Sequence, residues 1–534
     1  MSLSPFAAAI YTQKYAQDGE TWPDTVRRVV ENVMGPYLPD LVEEMIGYME
    51  ERKFLPGGRY LYAAGKKMHQ VQNCLLMEVE DSREGWANLM HRTTSGLMTG
   101  AGVGVVYSKL RPNGTPVKGM GGKSTGPLSL MKMVNEAARH IMQGGSRRAA
   151  LWAGLHWNHA DIFEFMYQKN WDDDLKEMKA KNFNFPAPMD GTNISIILDD
   201  AFFWAFNDAS HPEHVRAREV YWSAVENMLN TGEPGFSVDV GANAGEHMRN
   251  ACTEITSADD DDICNLGSIN LARVDSIEEM DRLVELGTAF LLCGTLYSTV
   301  PYQAVADTRT KNRRLGLGIM GVYEWLAVRG KGYAPDQELG SWLTRYQQST
   351  RYADAYADRL GISRPVKTRA IAPTGTIGIL GETTTGIEPM FAAAYKRRYL
   401  KGSDWHFQYV VEPFAQRMAD LGIDPDGLES AYDLARDPGR RLAMQAWVQQ
   451  YVDHGIASTI NLPAPDKQPF SMKEFGYVLM TYLPQLRGVT VYPDGARGGQ
   501  PLTVVPYETA HGFEGFEYAE IGNEEACPSG VCGI

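Results

Sequence analysis

The chain has 534 residues, 44% hydrophobic and 22% charged, a globular balance that excludes a disordered, collagen-like or coiled-coil protein. Its 51 Lys and Arg against 66 Asp and Glu leave a net charge of −15, which excludes bulk attraction to nucleic acid or an anionic membrane but allows a local phosphate pocket. Met1-Ser2-Leu3-Ser4 is not a basic and apolar leader, no run of eighteen apolar residues occurs, and six cysteines are too few to staple a secreted scaffold, so a cytoplasmic protein is expected.

Apolar positions at three- and four-residue spacing predict amphipathic helices over Asp24 to Met34 and Leu38 to Arg52, a small helical region over residues 1–53. From 54 to 500, short β-rich runs (Gly104-Val105-Val106-Tyr107, Ile194-Ser195-Ile196-Ile197, Val489-Thr490-Val491-Tyr492) alternate with helical segments such as Leu128 to Met142 and Tyr221 to Leu229. This predicts one large α/β body, since neither a repeat nor a low-complexity linker divides it. Beyond Pro501 the composition turns to Gly and Glu with scattered aromatics, which predicts a mobile tail over 501–534.

In Asn250-Ala251-Cys252-Thr253-Glu254, a carboxamide, a thiol and a carboxylate fall at i, i+2 and i+4, on one face of a strand. Such a row can hold a small polar substrate with the carboxylate as general base; the plainer alternative is a strand end with one buried cysteine. Cys74 follows Val71-Gln72-Asn73, and Cys264 follows the acidic turn Asp259 to Asp262. On neighbouring strands beside Cys252 they would form a two-electron dithiol; otherwise they are core thiols, as Cys293 in Phe290-Leu291-Leu292-Cys293 is expected to be. Cys527 and Cys532, in Cys527-Pro528-Ser529-Gly530-Val531-Cys532, suit thiol–disulfide exchange on an exposed tail; a structural zinc site needs four ligands, and no His or further Cys is near.

Pro373-Thr374-Gly375-Thr376-Ile377-Gly378 offers hydroxyls and main-chain N–H groups for an anion, or is an ordinary turn. Gly100-Ala101-Gly102-Val103-Gly104 lacks the spacing of a dinucleotide fingerprint, and no Walker element is present. Gln143-Gly144-Gly145-Ser146-Arg147-Arg148 reads as a basic loop after a helix or as a solvated helix end.

Together, from about residue 54 to the C-terminus, these motifs resemble the catalytic subunit of ribonucleotide reductase. The resemblance implies a ten-stranded α/β barrel with Cys252 on a finger loop at its centre, which replaces the strand reading of 250–254. It implies that Cys252 forms a thiyl radical, with Glu254 as base, Asn250 as orienting amide and Cys74 and Cys264 as the reducing dithiol. Cys527 and Cys532 correspond to shuttle cysteines recharged by a thioredoxin- or glutaredoxin-like protein. Substrate would meet Asn73, Gly102 and the phosphate turn Pro373, Thr374, Gly375, Thr376 and Ile377. A deoxynucleotide effector would meet Asp81, Ser82, Arg83, Arg111 and Lys118, and the loop Gln143, Gly144, Gly145, Ser146, Arg147 would relay its identity to the substrate pocket. The helix Leu128 to Met142 would lie at a homodimer interface, and residues 1–53 leave no room for the family's ATP cone.

The family draws its first radical from adenosylcobalamin, from a metal-containing partner subunit or from a glycyl radical whose motif is absent here. Where the partner-dependent class has two adjacent tyrosines, this chain reads Val491-Tyr492-Pro493, with Tyr492 alone as a candidate relay. That sequence, Pro373-Thr374-Gly375-Thr376 and Arg314-Leu315-Gly316-Leu317-Gly318-Ile319-Met320-Gly321 look like the adenosylcobalamin-dependent class. The alternative is a minimal protein that borrows its radical from a partner subunit; the remote one is a nucleotide-binding homologue without catalysis.

Overall fold

The computed structural model describes residues 3–17, 19–119, 121–143, 147–182, 185–401, 404–496, 502–521 and 524–525. Helices form where the spacing predicts them, at Trp22–Met34, Val42–Glu50 and His214–Thr231. Thr21 begins the first of these with a reciprocal bond to Asp24, a capping box that satisfies main-chain donors at the helix start. The helix Gly126–Arg139 stops short of the expected Met142 because the chain there turns into a short antiparallel pair, Met142–Gln143 with Arg147–Arg148.

Ten strands make the central sheet. After β1 (Phe54–Pro56) come β2 (Cys74–Glu78), β3 (Gly102–Val106), β4 (Leu151–His156), β5 (Thr192–Asp199) and β6 (Gly235–Asp239), with β2 to β6 parallel and adjacent in chain order. In the second half, β7 (Asp262–Asn270) runs parallel to β8 (Leu315–Met320), and β9 (Thr459–Leu462) runs parallel to β10 (Gly488–Pro493). The halves meet antiparallel on both sides, β7 against β2 and β10 against β6, while β1 adds to the edge of β7. The remaining gap is bridged by parallel pairings of Leu317 with Arg369 and of Ile371 with Ile456, just before β9. The sheet therefore closes on itself as a barrel.

Side chains alternate along the strands as a period of two requires. On β2, Leu75 and Met77 join the apolar layer under the outer helices of the first half, whereas Cys74 and Leu76 join a small inner cluster. That inner cluster includes Trp152, Ile197, Cys264, Leu266 and two residues of the loop inside the barrel, Met248 and Ile255. A separate outer layer joins the helices at Trp22–Met34 and Val42–Glu50 to the long buried helix Ile277–Tyr297, where Cys293 is core filling.

Beyond the barrel, Ala394–Lys401 and Asp404–Val411 form an antiparallel hairpin. Residues of the expected mobile tail are built onto it: Leu502–Val504 pairs with its first strand, Tyr518–Ile521 with its second, and Glu524–Glu525 with Tyr518–Ile521. The aromatic residues scattered through this stretch supply the reason, since Tyr518 stacks on Phe407 with ring centroids 5.0 Å apart. Cys527 and Cys532 lie outside the described residues.

The tightest approach inside the barrel is at Gly104, where an added Cβ would stand 1.8 Å from the carbonyl oxygen of Arg249. Gly104→Ala is expected to lower stability by about 1–3 kcal/mol, the usual cost of overpacking. Gly47→Ala, on a helix position with nothing within 4 Å of the new methyl, should instead gain up to about 1 kcal/mol. Paired thermal or denaturant melts check both signs.

Candidate active site

The chain enters the barrel between its two halves as a narrow hairpin. Met248–Arg249 pairs antiparallel with Thr256–Ser257, and residues 250–255 form the tip. Asn250, Cys252 and Glu254 thus stand on a loop rather than on one face of a strand, and the i, i+2, i+4 reading gives way to a tight turn. Thr253 N–H donates to Asn250 O at 3.1 Å, Ile255 N–H donates to Asn250 Oδ1 at 3.1 Å, and Thr253 adopts φ 69°. A left-handed threonine costs about 1–2 kcal/mol, so the surrounding contacts must hold the tip in this shape.

Those contacts come from both walls. On one side Gly102 and Gly104 of β3 face the loop, and a Cβ on Gly102 would touch Ala251 at 3.1 Å. On the other, Gly455 N–H donates to Glu254 O at 2.7 Å, and a Cβ there would lie 3.1 Å from the same oxygen. His454 Nδ1 accepts from Thr256 N–H at 3.1 Å. Burial, then the cations of Lys367, Arg314, Arg369 and Arg249, push this imidazole well below its ordinary pKa, so it is a neutral acceptor. Glu246, at the base of the hairpin, bonds Arg314 Nη1 at 3.0 Å and Thr256 Oγ1 at 2.8 Å and is also bound by Lys367. Burial would raise the Glu246 carboxyl, but these two cations outweigh it and hold it low. Arg314 also reaches Asp262 Oδ2 at 2.6 Å, tying the hairpin to the start of β7.

Cys252 is exposed, and it lines a cavity of about 1190 Å³. Cys74 and Cys264 are buried and are register partners across β2 and β7. Opposed residues of antiparallel strands have Cα atoms about 4.5–5.5 Å apart, within the span of a disulfide. Burial, then Glu254, Cys264 and Cys252, raise the Cys74 thiol well above its ordinary value; burial and Asp262 do the same to Cys264. The three thiols and Glu254 therefore feel one another's charge. Burial alone pushes Cys293, far from this group in the helical layer, up to about 12.

Glu254 is fully buried, and neither carboxylate oxygen has a hydrogen-bond partner among the described residues. Burial pushes its carboxyl up to about 7, moderated by the polar main chain of Glu254 and the Asn250 amide, which lie near it without meeting hydrogen-bond geometry. A carboxyl in this state can take a proton at neutral pH.

Asn73 lies directly before β2, and Gly102 is the register partner of Cys74. Pro373 and Gly375 line the cavity, Thr374 turns the chain at φ 49°, and Gly375, Thr376 and Ile377 open the helix Gly375–Gly381. Their main-chain N–H groups belong to the first helical turn, which has no intrahelical acceptors. Ser195 and Asn193 line the same cavity from β5, and Trp152 Nε1–H donates to Ser195 Oγ at 2.9 Å. Tyr492 lies on β10 opposite Asn461, on the same strand face as cavity-lining Thr490.

The expected effector residues gather only in part. Arg111 Nε donates to Asp81 Oδ2 at 2.7 Å, and Ser82 caps the helix Arg83–Thr99 through a 2.9 Å bond from Gly85 N–H. Arg83 points outward, paired with Glu84, and Lys118 is exposed on the loop that follows Arg111. Gln143 and Arg147 are main-chain partners, while Gly144, Gly145 and Ser146 lie outside the described residues. Sequence reasoning missed Gly455, His454, Glu246 and Lys367, whose roles arise from contacts between positions more than 120 residues apart in the chain. Gly104 and Arg314 stood within quoted motifs but without these roles.

The buried Glu254 gives a stability prediction with a definite sign. Its folded pKa lies above its unfolded value of 4.5, so the protonated form is favoured by folding, and stability falls as pH rises from about 4.5 to about 7. Glu254→Gln removes this titration. Its stability relative to the native chain should therefore rise across that window and level off above it, as denaturant melts at stepped pH would record.

The family model for the ribonucleotide reductase barrel domain matches residues 72–211, 204–341 and 363–482. A vitamin B12-dependent ribonucleoside-diphosphate reductase of Mycobacterium tuberculosis is 27% identical over 86% of this chain and 73% of its own length. A vitamin B12-dependent ribonucleoside-diphosphate reductase of Thermoplasma acidophilum is 27% identical over 91% of this chain and 71% of its own. The class Id ribonucleotide reductase alpha subunit of Actinobacillus ureae has the same fold, with a TM-score of 0.74 at 17% identity over 92% of this chain and 97% of that one. With the barrel and its central finger, these matches show that the chain belongs to the ribonucleotide reductase family and is an enzyme of ribonucleotide reduction.

Proposed function

We propose that the chain is an adenosylcobalamin-dependent ribonucleotide reductase that converts ribonucleoside di- or triphosphates to 2′-deoxyribonucleotides. The observation that carries this reading is the arrangement at the finger: Cys252 exposed to a large cavity, an unpartnered Glu254 behind it, and Cys74 opposite Cys264 on adjoining strands. The names of the two vitamin B12-dependent relatives support the choice of cofactor.

The cavity is suited to such a group. Its volume of about 1190 Å³ exceeds the roughly 300–1,000 Å³ of an ordinary small-ligand pocket, enough to take more than a nucleotide. One wall is polar, from Ser195, Asn193 and the N–H groups after Thr374; another is apolar and aromatic, from Phe391, Tyr409, Val411 and Pro413. The aromatic wall would hold the corrin. The chemistry adenosylcobalamin supplies when bound is homolysis of its cobalt–carbon bond beside a thiol, the origin of the first radical.

Cys252, as a thiyl, takes the 3′ hydrogen of the ribose, while Glu254 accepts the 3′-hydroxyl proton. The position of Glu254 at about 7 lets it receive that proton and return it. Asn250 orients the ribose, and the N–H groups of Gly375, Thr376 and Ile377 receive phosphate. A radical at the 3′ carbon makes the 2′-hydroxyl a feasible leaving group. Cys74 and Cys264 supply two protons and two electrons as they close to a disulfide: one proton leaves with the hydroxyl as water, and the other, with the two electrons, forms the new 2′ C–H bond. Cys252 returns the 3′ hydrogen and regains its thiyl, and Cys527 and Cys532 then reduce the disulfide by exchange. A thioredoxin- or glutaredoxin-like protein recharges that shuttle, and the need for reduced thiols suits the cytoplasm.

Asp81, Ser82, Arg83, Arg111 and Lys118 form the proposed deoxynucleotide effector site, with the loop Gln143 to Arg147 as its link to substrate. The protein acts as a homodimer through the helix Gly126–Arg139.

The test is conversion of a ribonucleotide mixture by the purified chain with dithiothreitol and an effector nucleotide, with and without adenosylcobalamin. Turnover is expected only with the cofactor, falling to background in Cys252→Ala. The rate should rise with pH through about 7 as Glu254 loses its proton, and Glu254→Gln should abolish that acid limb together with turnover. Turnover that needs a separate metal-containing subunit, and not the cofactor, overturns the proposal.

A further inference from the structure

One part of the cavity wall has no task in handling the ribose or its phosphates. Glu412 stands between the strand Asp404–Val411 and the helix Pro413–Asp420, and it lines the cavity beside Val411 and Pro413. Its main-chain N–H donates to Ala393 O at 3.0 Å, and only burial and the charges of Glu324 and Arg417, with no hydrogen bond, act on its carboxyl. The titratable groups around it are Glu324 on the helix Val322–Ala327, Arg417 on its own helix, and Tyr395 on the hairpin. Arg417 is engaged by Glu324, whose other oxygen accepts from Thr384 N–H at 2.8 Å. Glu412 is partly buried in this wall, and its loss of solvent there, reinforced by Glu324 and opposed by Arg417, pushes the carboxyl up to about 8, which favours the protonated form at neutral pH. The Thr384 hydroxyl is a second unanswered group on this wall: the residue is 4% exposed, lines the cavity, and its Oγ1 has no partner among the described residues.

The chemistry of the wall narrows what it can receive. Glu324, Glu382, Glu388 and Glu514 line the cavity together with Glu412, and the arginines in its lining are already engaged, Arg417 by Glu324 and Arg273 by Glu382, so this wall favours a neutral ligand over a phosphate. A neutral ligand whose donors and acceptors come in adjacent pairs fits it well. A protonated carboxyl closes two hydrogen bonds with one primary carboxamide: its O–H donates to the amide oxygen, and its carbonyl oxygen accepts from the amide N–H. The rim of a corrin carries several such carboxamides, whereas a nucleotide's polar end carries negative charge.

We propose that Glu412 pairs with a primary carboxamide on the rim of bound adenosylcobalamin, with the Thr384 hydroxyl as an adjoining polar contact. This rests on the cobalamin reading above. Glu412 is a cofactor-recognition residue, remote from the bonds that change in the ribose.

The test is equilibrium binding of adenosylcobalamin in the dark, without nucleotide and therefore without turnover. Retained cobalamin is measured by absorbance after dialysis for the native chain, Glu412→Gln and Glu412→Leu, each checked by its melting curve. At pH 7, Glu412→Leu should bind about tenfold more weakly, the size of one or two lost neutral hydrogen bonds. Glu412→Gln, which keeps a donor and an acceptor, should bind nearly as the native chain does. Raising the pH from 7 to 9 should weaken native binding by several-fold and leave Glu412→Gln unchanged. Equal binding by the native chain and a well-folded Glu412→Leu overturns this proposal and leaves the cobalamin reading standing. No binding by the native chain overturns both. Loss of nucleotide binding in Glu412→Leu, with cobalamin binding intact, assigns the residue to the substrate and overturns the proposal as well.

Discussion

The reactive loop can sit at the centre of this barrel only because its main chain touches the wall on two sides. At Gly104 the wall comes so near the Arg249 carbonyl that no side chain fits between them, and at Gly455 a main-chain N–H grips the Glu254 carbonyl from the opposite side. The left-handed Thr253 is held between these grips. Close main-chain contact locates a thiol more sharply than side-chain packing does, because it has no rotamers to average over. The positions of Cys252 and Glu254 relative to Cys74 and Cys264 follow from it.

Two electrostatic regimes then lie a few residues apart on one hairpin. At its base, Glu246 is held in its charged form by Arg314 and Lys367, Arg314 also bonds Asp262 at the start of β7, and breaking one member of such a set costs about 3–5 kcal/mol. At its tip, Glu254 is buried with no countercharge against it. Saturated ion pairs give the base rigidity; the lack of one gives the tip a carboxyl whose proton is easily exchanged. A cation beside Glu254 would stabilise the loop and deprive it of that property.

Much of this was legible in the sequence, and the reasons are particular. The alternation of β-rich runs with long helical segments indicated an α/β body, and Asn250, Cys252 and Glu254 sit close enough in the chain to be seen as one motif. Their setting was not legible from spacing, since i, i+2, i+4 on a strand and a six-residue turn read alike; the family resemblance supplied the finger. Cys74 and Cys264 were paired by the family resemblance and not by their spacing, because the strand register that opposes them joins positions 190 apart in the chain. His454 and Gly455 carry no local signature, because a neutral histidine acceptor is made by four cations gathered from distant segments. The stretch from 502 to 521 looked like a tail because strands of three or four residues have no measurable period, and aromatic stacking on the hairpin organises them instead.

The pairing of Glu524–Glu525 with Tyr518–Ile521 also fixes where the last residues of the chain set out. Cys527 follows Glu525 by two residues and Cys532 by seven, so whatever path they take, at most about 3.6 Å per residue keeps both within roughly 25 Å of that anchor. The anchor belongs to the same small sheet as the hairpin that walls the cavity. That bound holds for any conformation of the intervening residues, so any group that either cysteine meets must come within the same radius of Glu525. A contour length alone thus confines both thiols to the neighbourhood of the small sheet.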